Sequence, residues 1–331
     1  MDFSQTVIRW YNKNKRDLPW RHTKDPYKIW LSEIIMQQTR VRQGLPYYNT
    51  FSQKFPTVHD LAKAKEDVVM KTWQGLGYYS RARNLHHTAK FISKDLKGKF
   101  PNEFEEIKKL KGIGDYTASA IASFAFDKPY AVVDGNVFRV LSRYLGIKIP
   151  IDSTEGKKVF TQKANLLLDK KDPGTFNQAI MEFGALQCVP QNPDCGICPL
   201  KKTCKAFAKD LVAKLPVKSQ KTKVRTRYFN YFVVRKNNKT LIRKRTENDI
   251  WKNMYDFPLL ETKKEMKKLN ATRVLSVSKS FKHVLSHQII FARFWEVEGG
   301  NHKGTYIHDN QLNRYAFPRL IELYFESKVK Q

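Results

Sequence analysis

The sequence predicts a mainly α first part built from short helices, followed by an α+β second part. Three observations carry this. Apolar positions through the first two hundred residues recur at spacings of three and four, the helical period. After residue 226 the pattern changes to alternation interrupted by turn residues, the period of strands. The length of 331 residues also exceeds the roughly 100–200 residues of an average domain.

The elements follow in order. Asp25-Pro26 starts a helix, with Asp as cap and Pro at the first helical position. Helical spacing runs through 58–74, 84–96, 117–126 and 176–187. The stretch 211–226, LVAKLPVKSQKTKVRT, is polar and basic with one Pro and reads as a linker. Beyond it, RYFNYFVVRKNNKTLIRKR alternates and breaks at Asn237-Asn238, the signature of a hairpin. Strand-like runs return at 272–278 and 288–297, and a helix is expected over 309–325. The division is therefore 1–210, a linker over 211–226, and 227–331.

Composition narrows the function classes. A hydrophobic content of 41% with 13% aromatic residues excludes a disordered chain. Four cysteines are too few to staple a secreted scaffold of this size. No run approaches the ~18 apolar residues of a membrane span, and the amino terminus lacks the pattern of a signal peptide. An intracellular, soluble protein is expected. The formal charge of +30 points to a polyanion, because Lys and Arg release counterions from phosphate. Basic residues exceed acidic ones by 14 up to residue 210 and by 16 beyond it, so both parts are suited to the same partner.

Three clusters carry chemistry. Cys188, Cys195, Cys198 and Cys204 fall within seventeen residues, spaced C-x6-C-x2-C-x5-C. Four thiolates brought together ligate metal, and this spacing suits an iron–sulfur cluster or zinc equally. LKGIGDYT (110–117) places Gly112 and Gly114 in a tight turn before a small-residue helix. Bare backbone N–H groups there suit a phosphate.

The third cluster is a pair of carboxylates. Asp134 stands in AVVDGNVFRVLSRY before a new helix, where it can cap and still face a cleft. Glu33 has Ile29, Trp30, Met36 and Gln37 as helical neighbours. A carboxyl in such company has a raised pKa, as a general acid needs, although a plain helix Glu fits the spacing as well. Gln37-Gln38-Thr39, uncharged hydrogen-bonding residues in an apolar segment, suit reading a base edge and favour the acid.

Together these features resemble the helix-hairpin-helix DNA glycosylases, and specifically the adenine DNA glycosylases of the MutY family. The resemblance runs through DLPWR (17–21), DPYKIWLSEIIMQQTRV (25–41), GLGYYSRARNL (75–85), LKGIG, VVDGNVFRVLSR (132–143) and FNQAIMEFGALQC (176–188). It continues in IWKNMYDFP (250–258) and HVLSH (283–287). It implies a helical glycosylase domain over 1–210 with a [4Fe–4S] cluster on the four cysteines, and a Nudix-like domain over 227–331. The implied reaction is monofunctional hydrolysis of adenine mispaired with 8-oxoguanine or guanine in duplex DNA. The implied setting is a monomer in a bacterial cytoplasm, at the nucleoid and away from membranes.

The resemblance also assigns roles. Glu33 matches the acid that protonates adenine, and Asp134 the carboxylate facing the sugar cation, with Asn136 and Tyr116 in support. Leu76 and Tyr78 match a wedge in the duplex, Gln38 and Thr39 lie by the lesion-bearing strand, and Arg21 joins the DNA contacts. Gly112 and Gly114 match the backbone-binding turn. Ser286 and His287 match the reader of 8-oxoguanine. Tyr116 stands where the lyases of the related endonuclease III branch carry a Schiff-base Lys, and a phenol cannot form an imine. Between 227 and 298 there is no Gly, and ETKKEMKKLN has only two separated Glu, so pyrophosphate hydrolysis is not expected. Two departures stand out: Leu285 where the family commonly has Phe, and Lys111 where it commonly has Pro.

Overall fold

Helices follow one another along the first two hundred residues of the computed structural model, which describes residues 2–219, 224–269 and 273–329. They are α1 (Phe3–Asn14), α2 (Pro26–Met36), α3 (Val41–Lys54), α4 (Val58–Lys63), α5 (Glu66–Trp73) and α6 (Ser80–Lys94). Next come α7 (Phe104–Lys109), α8 (Asp115–Phe126), α9 (Gly135–Leu145), α10 (Thr154–Leu167), α11 (Pro173–Leu186) and α12 (Lys205–Ala208). Side-chain caps start several of them: Asp2, Asp25, Asp134, Ser153 and Asp172 each accept a backbone N–H of the first turn. The helical run expected over 58–74 is two helices, because Lys65 is extended and starts α5 afresh.

Among the residues from 225 onward the strands are β1 (Arg225–Lys236), β2 (Lys239–Lys244), β3 (Tyr255–Asp256), β4 (Leu259–Thr262), β5 (Arg273–Val277), β6 (Phe281–Val284), β7 (Gln288–Glu298) and β8 (Thr305–His308). The chain then closes with α13 (Arg319–Val329). The hairpin expected at Asn237-Asn238 is present, with both residues left-handed at φ 50° and 56°, as a type I′ turn requires. The helix expected over 309–325 is a 3-10 turn at Asp309–Arg314 followed by α13, because the chain is extended at Tyr315 and reaches Pro318 before α13 begins.

Two compact units form, one from residues 1–40, 57–59 and 87–220, the other from 41–56, 60–86 and 221–331. Compactness in space thus cuts across the division read along the chain. The first unit buries Phe3, Val7 and Tyr11 of α1 with Val137, Val140 and Leu141 of α9, Phe160 of α10, and Phe176, Ile180 and Phe183 of α11. The first part of the linker stretch is held in this unit: Leu215 is buried, and Ile151 donates to the Val217 carbonyl at 3.0 Å. Residues 220–223 of that stretch, and residue 272 of an expected strand, lie outside the described residues.

The second unit is organised by a mixed sheet ordered β3-β2-β1-β7-β5, in which β1 and β7 run parallel and the other pairs antiparallel. Alternation sends Phe229, Tyr231 and Val233 of β1, with Ile290, Ala292 and Phe294 of β7, into a buried layer. Phe294 stacks on Tyr324 of α13 with centroids 4.2 Å apart. Within the same unit α3 and α5 meet through Phe51 and Trp73, edge to face at 5.7 Å.

Candidate active site

Glu33 lies on α2, which Asp25 starts by accepting the Tyr27 N–H at 2.9 Å. The helix packs on α8 and buries Ile29, Trp30, Leu31, Ile34 and Ile35. Glu33 is carried inward with them and is only 8% exposed. Burial pushes its pKa up to about 7, the Tyr116 hydroxyl donating to it pulls the other way, and the nearby Asp134 charge adds to the rise. Tyr116 comes from the first turn of α8, directly after the hairpin turn.

Asp134 caps α9 and accepts the Val137 N–H at 2.7 Å. Its second oxygen accepts from Asn136 Nδ2, also at 2.7 Å. Burial raises its pKa, and Val137, Asn136 and the Arg139 charge reduce that rise without cancelling it. The two carboxyls therefore differ in their partners, though burial raises both. Glu33 has one neutral donor and an anionic neighbour, and it readily holds a proton at neutral pH. Asp134 has several donors and a cation, which favour its anion. An acid with an anion near it can protonate a leaving group and stabilise the cation it leaves behind.

Arg139, which the sequence reading did not single out, organises this corner. It donates to Asn136 Oδ1 at 2.9 Å, to the Gly184 carbonyl at 2.6 Å and to the Cys188 carbonyl at 2.8 Å. Gly184 is required here, because a Cβ on it would lie 2.7 Å from Asn136 Cβ. One turn later Arg143 is 2% exposed, donating to Cys188 Sγ at 3.4 Å and to the carbonyls of Val189, Pro190 and Leu215. Two arginines one turn apart in VFRVLSR, on a helix that otherwise buries Val and Leu, were the available signal.

The four cysteines line one cavity, which is walled also by Val140, Phe183 and Leu200. Burial, then the other thiols, push Cys198 up to about 11 and raise Cys195. Among the described residues no three His, Cys, Asp or Glu side chains gather as they would around a single metal ion. The donor set fits a metal group nonetheless: four thiols face one space, beside a buried guanidinium whose partners on the chain are otherwise neutral carbonyls.

The hairpin turn presents its backbone outward. Ile107, Leu110 and Ile113 are buried as its anchor, while Lys111, Gly112 and Gly114 are exposed. Gly112 needs its freedom at φ 85°. Gly114 is extended, and a Cβ there would meet nothing within 4 Å, so no packing among the described residues demands a glycine. Gln38 (φ 53°, exposed) and Thr39 (half-buried) follow α2. Gln37 instead turns inward and donates to Thr117 Oγ1 at 3.1 Å.

Arg21 is placed elsewhere than on an open surface. Its guanidinium donates to both carboxylate oxygens of Glu182, at 3.1 and 2.8 Å, to the Arg16 carbonyl and to Gln178 Oε1. In the second unit Leu76 is buried, whereas Tyr78 is 44% exposed and left-handed at φ 47°. Ser286 and His287 form the exposed tip of the β6–β7 hairpin, closed by the Leu285 N–H donating to the Gln288 carbonyl at 2.8 Å. The Tyr78 and Ser286 hydroxyls are hydrogen-bonded at 2.6 Å. Arg81, also unforeseen, has its guanidinium 5.1 Å from the Trp73 ring and 5.4 Å from the Tyr78 ring. No described helix is long and apolar enough to cross a membrane.

Comparison with known proteins agrees with this arrangement. Residues 31–164 match the HhH-GPD superfamily base excision DNA repair proteins, and residues 230–327 match the NUDIX domain. The adenine DNA glycosylase of Buchnera aphidicola from Schizaphis graminum is 39% identical over 86% of this chain and 84% of its own. That of Buchnera from Acyrthosiphon pisum is 35% identical over 99% and 98%. The human adenine DNA glycosylase is 43% identical over 62% of this chain and 39% of its own. Among solved structures, a thermostable thymine-DNA glycosylase superposes with TM-score 0.58 and 32% identity over 62% of this chain and 95% of that one. An endonuclease III–DNA covalent intermediate shares the fold at TM-score 0.55 and 21% identity, over 63% and 95%. With helix-hairpin-helix fold, carboxylate pair and Nudix-like sheet in place, the chain belongs to the adenine DNA glycosylases, enzymes of base-excision DNA repair.

Proposed function

We propose that the chain hydrolyses the N-glycosidic bond of adenine mispaired with 8-oxoguanine or guanine in duplex DNA. The observation that carries this is the unequal carboxyl pair, Glu33 at about 7 beside an Asp134 furnished with donors. An extruded adenine takes the Glu33 proton at N7, the bond to C1′ breaks, and its electron pair leaves with the base. Asp134 faces the resulting sugar cation. Water adds at C1′ and returns a proton to the Glu33 carboxylate, restoring the acid. A mispaired base costs less to extrude, which favours the mismatch. The name shared by the relatives supports adenine as the base.

The reaction we propose is monofunctional. Tyr116 is committed to Glu33. Of the nearby amines, Lys108 pairs with Asp115 and Lys109 with Glu106, each at 2.6 Å, which holds both protonated and poor nucleophiles. Residues 1–210 are proposed as the catalytic domain and 227–331 as the lesion-reading domain, with Tyr78 as the wedge and the Ser286–His287 tip meeting the 8-oxoguanine. Cys188, Cys195, Cys198 and Cys204 would hold a [4Fe–4S] cluster; thiols around a cavity suit it better than zinc. Such a cluster would cross-link the loop 188–204 to itself, beside Arg143 of α9, which donates to Cys188 Sγ.

Single-turnover adenine release from duplexes carrying A opposite 8-oxoguanine, guanine or thymine tests the substrate. Release from both mispairs without borohydride-trapped enzyme–DNA adduct is expected. A trapped imine forming at the rate of base release would sink the monofunctional reading.

A further inference from the structure

The turn that carries Tyr78 is strained and must be held. Between α5 and α6 the chain passes through Gly75 at φ 92°, Gly77 at φ 78° and Tyr78 at φ 47°. Glycine adopts such angles at little cost, but a bulky Tyr78 held left-handed persists only where the surroundings determine it. Much of the determination is local: the Trp73 indole donates to the Gly77 carbonyl at 2.9 Å, and Arg81 donates to that same carbonyl at 3.2 Å.

The other end of the turn begins at Gln74, the residue that ends α5. Its carbonyl accepts from the Tyr47 hydroxyl at 2.7 Å, and its side-chain oxygen accepts from Lys71 Nζ at 2.7 Å. Its side-chain nitrogen donates to the carboxylate of Glu322, on α13 of the Nudix-like region. Lys71 also reaches the Tyr315 carbonyl at 3.1 Å, just before α13. A Cβ on Gly75 would lie 2.6 Å from the Tyr47 hydroxyl, so a side chain there would press on the group that holds the Gln74 carbonyl. All of these residues fall in one compact unit.

We propose that Glu322 is a positioning residue for the Tyr78 turn, fixing through Gln74 the end of α5 from which the turn departs. The carboxy-terminal region then has two separate tasks, reading the lesion at Ser286–His287 and setting the wedge through α13. This inference rests on Tyr78 being the wedge proposed above.

The test uses the full-length protein and a duplex with 2-aminopurine beside the A:8-oxoguanine or A:G mispair, whose fluorescence rises when the neighbouring stack opens. Glu322→Ala is expected to lower the fluorescence step and to slow single-turnover excision roughly tenfold on both mispairs, the scale of one lost charge-assisted hydrogen bond. Glu322→Gln keeps an acceptor oxygen and should restore most of the step. Gln74→Leu removes the partner from the other side and should reproduce the loss without touching the carboxy-terminal region. Tyr78→Ala sets the floor. If it abolishes the step while Glu322→Ala and Gln74→Leu leave it intact, the positioning role is wrong and the wedge stands. A full step in Tyr78→Ala removes the wedge reading and this inference with it. An equal loss in Glu322→Gln and Glu322→Ala also overturns it, because an acceptor oxygen alone then holds nothing.

Discussion

Two buried glutamates of the helical unit are driven in opposite directions. Glu182, on α11, accepts from Arg16 at 2.8 and 2.6 Å and from Arg21, and these donors hold it down at about 2 despite burial. Glu33, on α2, has a phenol and a second carboxyl for company, and burial lifts it to about 7. The same side chain is held as an anion in one place and readily keeps a proton in the other, where we propose that it serves as the acid. Burial makes a carboxyl responsive; its neighbours decide whether the response serves the fold or the chemistry.

Removing the proton from Glu33 should have the greatest consequence. Glu33→Gln keeps size and hydrogen bonding but cannot release a proton, so single-turnover adenine release should fall by roughly 10²–10⁴-fold, the range for a lost general acid. Wild-type rates from this variant would end the assignment. The matching change, Glu182→Gln, strands two arginines around a neutral amide. It should cost about 3–5 kcal/mol of stability at neutral pH, read as a lower unfolding midpoint in urea.

The pH dependence sharpens the contrast, because the two groups titrate in different windows. Glu182 is lower in the fold than its ordinary 4.5, so its stabilisation is present above about 4.5 and lost as pH falls toward 2. The wild-type unfolding midpoint should drop through that window more steeply than that of Glu182→Gln. Glu33 acts on rate instead. Adenine release needs its protonated form and should fall about tenfold per pH unit above about 7. A rate flat from pH 6 to 9 would contradict a Glu33 titrating there.

Much of this was legible in the sequence where the cause was local. Helical spacing, the Asp25 cap, the Asn237-Asn238 turn and an acid among Ile29, Trp30 and Met36 all depend on residues within a turn or two. What stayed hidden depends on distant partners. The parallel pairing of β1 with β7, the Tyr116 bond to Glu33, the Arg139 network and the Gln74–Glu322 tie join segments far apart in the chain. Leu76 and Tyr78 show the limit well. They share one motif and one expected role, yet the fold buries the first and exposes the second.

Tyr78 also supplies the smallest expected effect, and the reason returns to burial. Tyr78→Phe deletes the hydroxyl that meets Ser286 and keeps the ring. At 44% exposure water can replace the lost partner, so the change should cost no more than about 0.5–1.5 kcal/mol. Stacking of an aromatic side chain on a base, roughly 1–3 kcal/mol, does not need the hydroxyl. The variant should therefore bind an A:8-oxoguanine duplex only a few-fold more weakly, while Tyr78→Ala loses considerably more. Equilibrium titration of both variants decides it. Equal losses would mean that the hydroxyl, not the ring, carries the interaction. An exposed polar contact would then rival the buried one at Glu33, and the rule drawn from the two glutamates would not extend beyond the helical unit.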